Sequence, residues 1–258
     1  MRSKLSTAFF VYLLLLPSAF AAQDNNKVQI PPPYSYADDY FDQVYLPEAS
    51  VMDEAVKTQK VVATKLTAAS MSMVADQLIV DITFNDANLE ACVLTTANDN
   101  SWTLASQVTR IKCDGQNIAD TNGLQHFTSL DYLSLKSNQI SDISPLSELT
   151  MLSRLYLSDN QISQIDDLSN FLSVQYLLLD RNQISDLTVL MVLTQLRTLF
   201  LYDNQISELS PLAGLTQLQR LQLAGNQISD LTALSGLAAL EWLLLGGNQI
   251  TDIGLLGS

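Results

Sequence analysis

Six asparagines, Asn138, Asn160, Asn182, Asn204, Asn226 and Asn248, stand 22 residues apart, and each is followed by Gln and Ile. A fixed period of this length marks a chain built from stacked copies of one supersecondary unit, none of which can bury its apolar face alone. Each copy repeats one frame, which in the first full one reads Leu130-x-x-Leu133-x-Leu135-x-x-Asn138-Gln139-Ile140. A degenerate copy precedes it with Val108, Ile111, Cys113, Gln116 and Ile118, where Gln116 takes the place of the asparagine. Seven repeats therefore occupy residues 108–258, the last of them incomplete.

The frame has a physical meaning. The Leu-x-Leu alternation has the period of a strand and points Leu133 and Leu135 to one face. The asparagine follows where the chain must turn. Its buried amide can satisfy backbone groups of its own turn and of the neighbouring one, so the six form a structural ladder. Losing such a partner costs on the order of 1–3 kcal/mol. Ile143, Leu146, Leu149 and Leu152 carry the core through the return segment. Six residues past each ladder position stand Asn122, Ser144, Asp166, Thr188, Ser210, Thr232 and Gly254. All belong to the N-cap set. Pro145 and Pro211 follow two of them, at the favoured first helical position. A short helix or 3-10 turn is predicted to start at each. Strand plus short helix at this period gives an α/β leucine-rich repeat solenoid. It is a curved right-handed coil with a parallel concave sheet, short helical or 3-10 segments on the convex side and an N-terminal helical cap.

The unit L-x-x-L-x-L-x-x-N-Q-I-S-D-[IL]-[ST]-P-L resembles the bacterial extracellular leucine-rich repeats of the internalin type, over residues 81–258. Within the cap of residues 81–107, the run Phe84 to Val93 is similar to the helix that precedes such repeats. The resemblance implies a curved module that binds another macromolecule. It does not extend to cell-wall attachment or invasion, because the sequence shows no wall-anchor motif, membrane tail or immunoglobulin-like domain after the repeats. Intracellular 22-residue repeat proteins that regulate phosphatases share the unit, but the N-terminus argues against them.

That N-terminus reads as an address. Arg2 and Lys4 precede an apolar run from Leu5 to Leu16, and Ala19-Phe20-Ala21 offers small residues where a signal peptidase cuts. Residues 1–21 are predicted to be a cleaved signal, and the mature chain to be secreted, periplasmic or on the cell surface with no stable membrane insertion. Residues 22–80 are a different material. Pro31-Pro32-Pro33 stiffens an acidic linker rich in Tyr and Asp, and a helix is predicted from Ser50 to about Val74. Export permits a disulfide between the two cysteines, Cys92 on the cap helix and Cys113 at an inward strand position. The bridge would clamp cap to repeats.

Thirteen Lys and Arg against 27 Asp and Glu leave a net charge of −14. Nucleic acid is an unsuitable partner for such a chain, since phosphate binding needs a cationic face. With two Cys and one His, a Cys/His zinc cluster is impossible. The sole histidine, His126, lies in a return segment, and no nucleophile elbow, zinc helix motif or phosphate loop is present. No enzyme activity, cofactor or metal is expected.

The residues that alternate away from the core form two columns on the concave face. One runs Lys112, Ser134, Tyr156, Leu178, Phe200, Gln222, Leu244. The other runs Arg110, Tyr132, Arg154, Tyr176, Thr198, Arg220, Trp242, with Arg197 and Tyr202 flanking. Apolar residues here should face solvent and mark a binding site. All seven cations after residue 104 lie in strand windows, whereas Asp120, Asp142, Asp186, Glu208, Asp230 and Asp252 occupy the return segments. Tyr132, Arg154, Tyr156, Tyr176, Leu178, Arg197, Phe200, Tyr202, Arg220, Trp242 and Leu244 are the candidate contacts for an unidentified protein ligand. The competing explanation is that the aromatics pack on one another and the arginines pair with nearby aspartates. A surface glycan stacking on Tyr156, Tyr176, Phe200 and Trp242 is the alternative ligand. Self-association through the apolar C-terminal end, where the last repeat stops at Ser258, is a third reading.

Overall fold

A computed structural model of the chain describes residues 76–252. The predicted signal, linker and Ser50–Val74 helix lie outside this range. Seven strands of three residues each, β1 (Arg110–Lys112), β2 (Tyr132–Ser134), β3 (Arg154–Tyr156), β4 (Tyr176–Leu178), β5 (Thr198–Phe200), β6 (Arg220–Gln222) and β7 (Trp242–Leu244), form one parallel sheet. The sheet is ordered β1 to β7, each strand beside its sequence neighbours. The register advances by one repeat per strand: Ile111 pairs with Leu133, Leu133 with Leu155, and so on to Leu243. Those residues point to the core, where Leu133, Leu155, Leu177, Leu199 and Leu221 are fully buried. Leu146, Leu168, Leu190 and Leu212 close the core from the return segments, which are all short 3-10 turns such as Ser144–Leu146 and Ser210–Leu212.

The ladder is continuous. Asn160 shows the pattern. Its Oδ1 accepts from the Ile140 backbone N–H at 3.0 Å. Its Nδ2 donates to the carbonyls of Leu135 and Leu157 at 3.0 Å and of Ser158 at 3.2 Å. One side chain thus stitches its own turn to the repeat before it. The same set recurs at Asn182, Asn204 and Asn226, and the tie to the preceding repeat holds at Asn138 and Asn248 as well. The bonds run backward along the chain, which explains Gln116: the first repeat has no earlier repeat to tie, so its exposed side chain donates to Asp114 O while its backbone N–H donates to Asn138 Oδ1 of the next repeat.

The turn just before each ladder residue adopts a left-handed conformation. Ser137, Asp159, Arg181 and Asp203 do so at φ of 51–58°, where Gly225 and Gly247 stand in the later repeats. At Gly225 a Cβ would meet the exposed Asp203 carboxylate, which would have to swing aside.

One correction concerns the return segments. Ser144, Asp166, Thr188, Ser210 and Thr232 are the first residues of their 3-10 turns, not the caps before them. None of the residues preceding these turns makes a side-chain capping bond. The cap comes from the acidic column two residues earlier. Asp142, Asp186, Glu208 and Asp230 each accept the backbone N–H of the turn's first residue at 2.8 Å. In the first repeat the turn begins later, at Leu124, and Asp120 accepts the Asn122 N–H two residues before it. The column of carboxylates is therefore turn chemistry that also favours the positive end of the segment. Pro145 and Pro211 consequently sit one position inside the turn. Gly254 lies outside the described residues.

At the other end α1 (Ala87–Asp99) caps the core with Leu89, Val93 and Ala97. The cap extends further back than residue 81: Ile79 N donates to Thr103 O, Ala105 N donates to Gln77 O, and Leu78 bridges Leu104. Asp86 joins cap to repeats. Its Oδ1 accepts from the N–H groups of Asn88 and Leu89, and its Oδ2 from those of Ala119 and Asp120. Cys92 and Cys113 are bridged, with Cα atoms 5.9 Å apart. Closing a loop of this length stabilises the fold by roughly 3 kcal/mol.

Candidate functional site: the outer sheet face

Alternation places residues 110 and 112, and their equivalents in every later strand, on the face opposite the core. All the predicted contact residues within the strands fall there, but their exposure differs from the expectation. Arg110, Lys112 and Arg197 are exposed, and Arg154, Tyr176, Leu178, Arg220, Trp242 and Leu244 are half-buried. Tyr132, Tyr156, Phe200 and Tyr202 are instead buried, at 4, 2, 3 and 1% exposure. The face is not a row of solvent-facing rings, because the side chains meet between neighbouring strands and, for Phe200 and Trp242, across the intervening β6. The Tyr132 and Tyr156 rings meet edge to face at 5.3 Å, and Phe200 and Trp242 lie tilted at 5.6 Å.

Cations stack on these rings from adjacent repeats. Arg110 sits 4.3 Å from the Tyr132 centroid and Arg181 5.1 Å from that of Tyr202. Arg154 lies 5.9 Å from Tyr176, and Lys136 6.0 Å from Tyr156. Each such contact contributes about 0.5–1 kcal/mol when exposed and more when desolvated. The alternation Arg110, Tyr132, Arg154, Tyr176 in one column is thus a cross-strand ladder of cation on ring.

Polar groups are also built into the face. Ser134 Oγ donates to Asp114 Oδ1 at 2.5 Å, and the same oxygen accepts the Lys136 N–H at 2.9 Å. Lys112 pairs with Asp114 at 3.7 Å. Ser158 Oγ donates to the fully buried Asp180 at 2.9 Å. Gln222 is 2% exposed, and its Oε1 is buried without a hydrogen-bond partner. The sequence places Gln222 in this column without singling it out; its signal is an amide between Phe200 and Leu244.

The return side differs. His126 is exposed in the 3-10 turn Leu124–His126, beyond the core from the sheet. Four carboxylates are held below the ordinary aspartate value. At Asp86 burial pushes upward, but four backbone N–H bonds outweigh it. At Asp120 the Asn122 backbone bond leads, and Asn85 adds to it. At Asp186 and Asp230 the hydroxyls of Thr188 and Thr232 lead, followed by the backbone N–H of the same residue. Asp86 caps α1, and Asp186 and Asp230 cap their 3-10 turns. Among the described residues no helix is long and apolar enough to cross a membrane.

The model of leucine-rich repeats in two copies matches residues 194–236. Among solved structures, internalin C2 of Listeria monocytogenes is 29% identical, over 72% of this chain and 94% of its own, with a TM-score of 0.57. A second internalin of that organism, inlF, is 28% identical over 74% of this chain and 76% of its own, with a TM-score of 0.42. A leucine-rich repeat protein of Leptospira interrogans is 30% identical over 50% of this chain and 34% of its own, with a TM-score of 0.48. No curated protein matches the chain in sequence. With seven parallel strands in 22-residue register and an asparagine ladder, the chain has the leucine-rich repeat fold and is similar to internalin C2.

Proposed function

We propose that the chain is an exported module that binds another protein through the outer face of its sheet. The observation that carries this reading is segregation. Every Arg and Lys after residue 104 lies on the strand side, and the same side gathers Tyr132, Tyr156, Tyr176, Phe200, Tyr202 and Trp242. Tyr, Trp and Arg are the residues that most often anchor protein interfaces. Cation-on-ring contacts hold several of them in place, which lowers the entropy lost on docking. Repeat solenoids in general bind through the extended surface that stacked strands create. Export is supported by the signal-like start and by the disulfide, which persists in oxidising compartments.

The test is affinity capture by the secreted chain from surface and secreted extracts, beside a variant carrying Tyr176→Ala and Trp242→Ala. These two are half-buried, so the variant should fold, whereas Tyr156 and Phe200 are packed and their truncation would mix folding with binding. A protein held by the wild type and lost by the variant supports the reading. Equal capture by both, or displacement of the catch by soluble polysaccharide, contradicts it.

A further inference from the structure

We infer that the return side carries an interaction surface of its own, made by Met151, Leu172, Met191 and Val192, and that it takes a cationic amphipathic helix of a partner protein. This surface is separate from the outer sheet face, and its test does not depend on that reading. Among the described residues these four side chains are 61, 57, 58 and 44% exposed, and the two other large hydrophobics exposed to this degree, Leu78 and Val80, lie in the cap. Single apolar side chains at a surface need no explanation, whereas neighbouring ones mark a place where something docks. The four belong to three consecutive repeats. Met151 precedes β3, Leu172 precedes β4, and Met191 and Val192 end the 3-10 turn Thr188–Val192 that precedes β5. In the 22-residue register Leu172 lies beside Ser173, the mate of Met151, and two positions beyond Asn170, the mate of Val192. The patch therefore passes from each repeat to the next.

The fold does not require these residues. Neighbouring repeats hold Ser129 and Ser173 at the position of Met151, Thr150 and Thr194 at that of Leu172, and Ser147 and Ser169 at that of Met191. The core contacts of the same segments are made by Leu149, Phe171 and Leu193, which are buried. The surrounding charge selects the partner. The three return segments that carry the patch, residues 139–153, 161–175 and 183–196, hold Asp142, Glu148, Asp166, Asp167 and Asp186 and no Lys or Arg. The next cations along the chain, Arg154 and Arg197, belong to the strand side. An anionic surface with an apolar centre attracts a segment that sets Lys or Arg beside its own apolar residues, and it repels anionic lipid and acidic peptides. Methionine is unbranched and polarisable, so Met151 and Met191 can adapt to such a segment. Repeats stand about 4.8 Å apart at the sheet, and a helix advances about 5.4 Å per turn. A helix with one apolar side chain per turn, as the i, i+3 or i+4, i+7 pattern supplies, keeps step with three repeats.

The experiment measures binding of a labelled synthetic peptide of about 14 residues, with Leu at helical spacing and Lys elsewhere, to the full secreted chain. Two control peptides carry the same residues in strict alternation, or Glu in place of Lys. Three variants of the chain are compared: Met151→Ser with Leu172→Thr, Met191→Ser with Val192→Asn, and Glu148→Gln with Asp166→Asn. The apolar replacements are residues that neighbouring repeats already hold at those positions, so folding should be unchanged, which chemical denaturation checks. The helically spaced peptide should bind, gain helicity by circular dichroism, and lose about tenfold in affinity with either apolar variant. The charge variant should weaken binding at low salt and match the wild type at high salt. The Tyr176→Ala, Trp242→Ala variant should bind this peptide as the wild type does. Absent binding, equal binding of either control peptide, or affinities that both apolar variants leave unchanged would overturn the inference, the last by showing general attraction to an acidic chain. Loss on the Tyr176→Ala, Trp242→Ala variant alone would assign the peptide to the outer sheet face and overturn it as well.

Discussion

The two sides of the sheet obey different rules. On the core side the six repeats after the first are alike: Leu at the strand centre, Leu two residues on, Asn at the turn, all at the same register. On the outer side the same strand positions hold Lys, Ser, Tyr, Leu, Phe, Gln and Leu in turn. A solenoid is stabilised by each repeat's contacts with its neighbours. Its core side therefore has one good solution, used six times. The outer side is under no such constraint, and what it holds is what distinguishes one repeat from the next. Stability is concentrated on the regular side, and the recognition proposed above belongs to the irregular one.

That contrast can be broken most directly at the core. Leu177→Ala, in the middle strand, should destabilise by about 2–5 kcal/mol through lost burial and a cavity that neighbouring repeats cannot fill. Asn182→Ala should cost on the order of 1–3 kcal/mol, because it strands the buried Ile162 N–H and removes one of the two hydrogen bonds accepted by each of the Leu157, Leu179 and Asp180 carbonyls. Chemical denaturation measures both. If either fell within about 0.5 kcal/mol, the range of ordinary surface changes, the division would fail. Replacing Cys92 by Ser should cost roughly 3 kcal/mol. Hydrogen exchange should then rise first in α1 and β1, since the clamp joins only those elements. On the outer side, Arg197→Gln should change stability by no more than about 0.5 kcal/mol while weakening partner capture.

Acid should act at the turns. Asp86, Asp120, Asp186 and Asp230 have folded values below their unfolded ones. The stability they add is fully present above about pH 3.9, the unfolded aspartate value, and is lost as pH falls through the lower folded values. Asp86→Asn should flatten that acid limb of the stability curve, with exchange protection lost first where α1 meets the first repeat. The smallest effect is expected at Ser137→Gly, which should stabilise by a few tenths of a kcal/mol by relieving a left-handed backbone at φ 55°.

The 22-residue period made the strands, their register and the core columns legible before any coordinates, because period and inward alternation are properties of sequence alone. The ladder's function followed from one buried amide at a turn. Three features did not follow. The capping role of Asp142, Asp186 and Asp230 was hidden because Ser144, Thr188 and Thr232 are themselves cap formers, and the 3-10 geometry shifts the cap two residues back. The burial of Tyr156 and Phe200 depends on which ring each meets across strands, which alternation does not specify. The unsatisfied Gln222 depends on what its neighbours fail to offer, and only three-dimensional contacts reveal that.

The central claim is that the outer face binds while the core side folds, and one paired measurement tests it. Tyr176→Ala with Trp242→Ala and, separately, Asn182→Ala should be measured for unfolding free energy and for retention of the captured partner. The account predicts that the face variant loses the partner while keeping stability within about 1 kcal/mol, a typical upper size for loss of an exposed cation–ring contact. It predicts that the ladder variant loses stability yet still binds wherever it remains folded. A face variant that keeps the partner, or a folded ladder variant that loses it, would contradict the account.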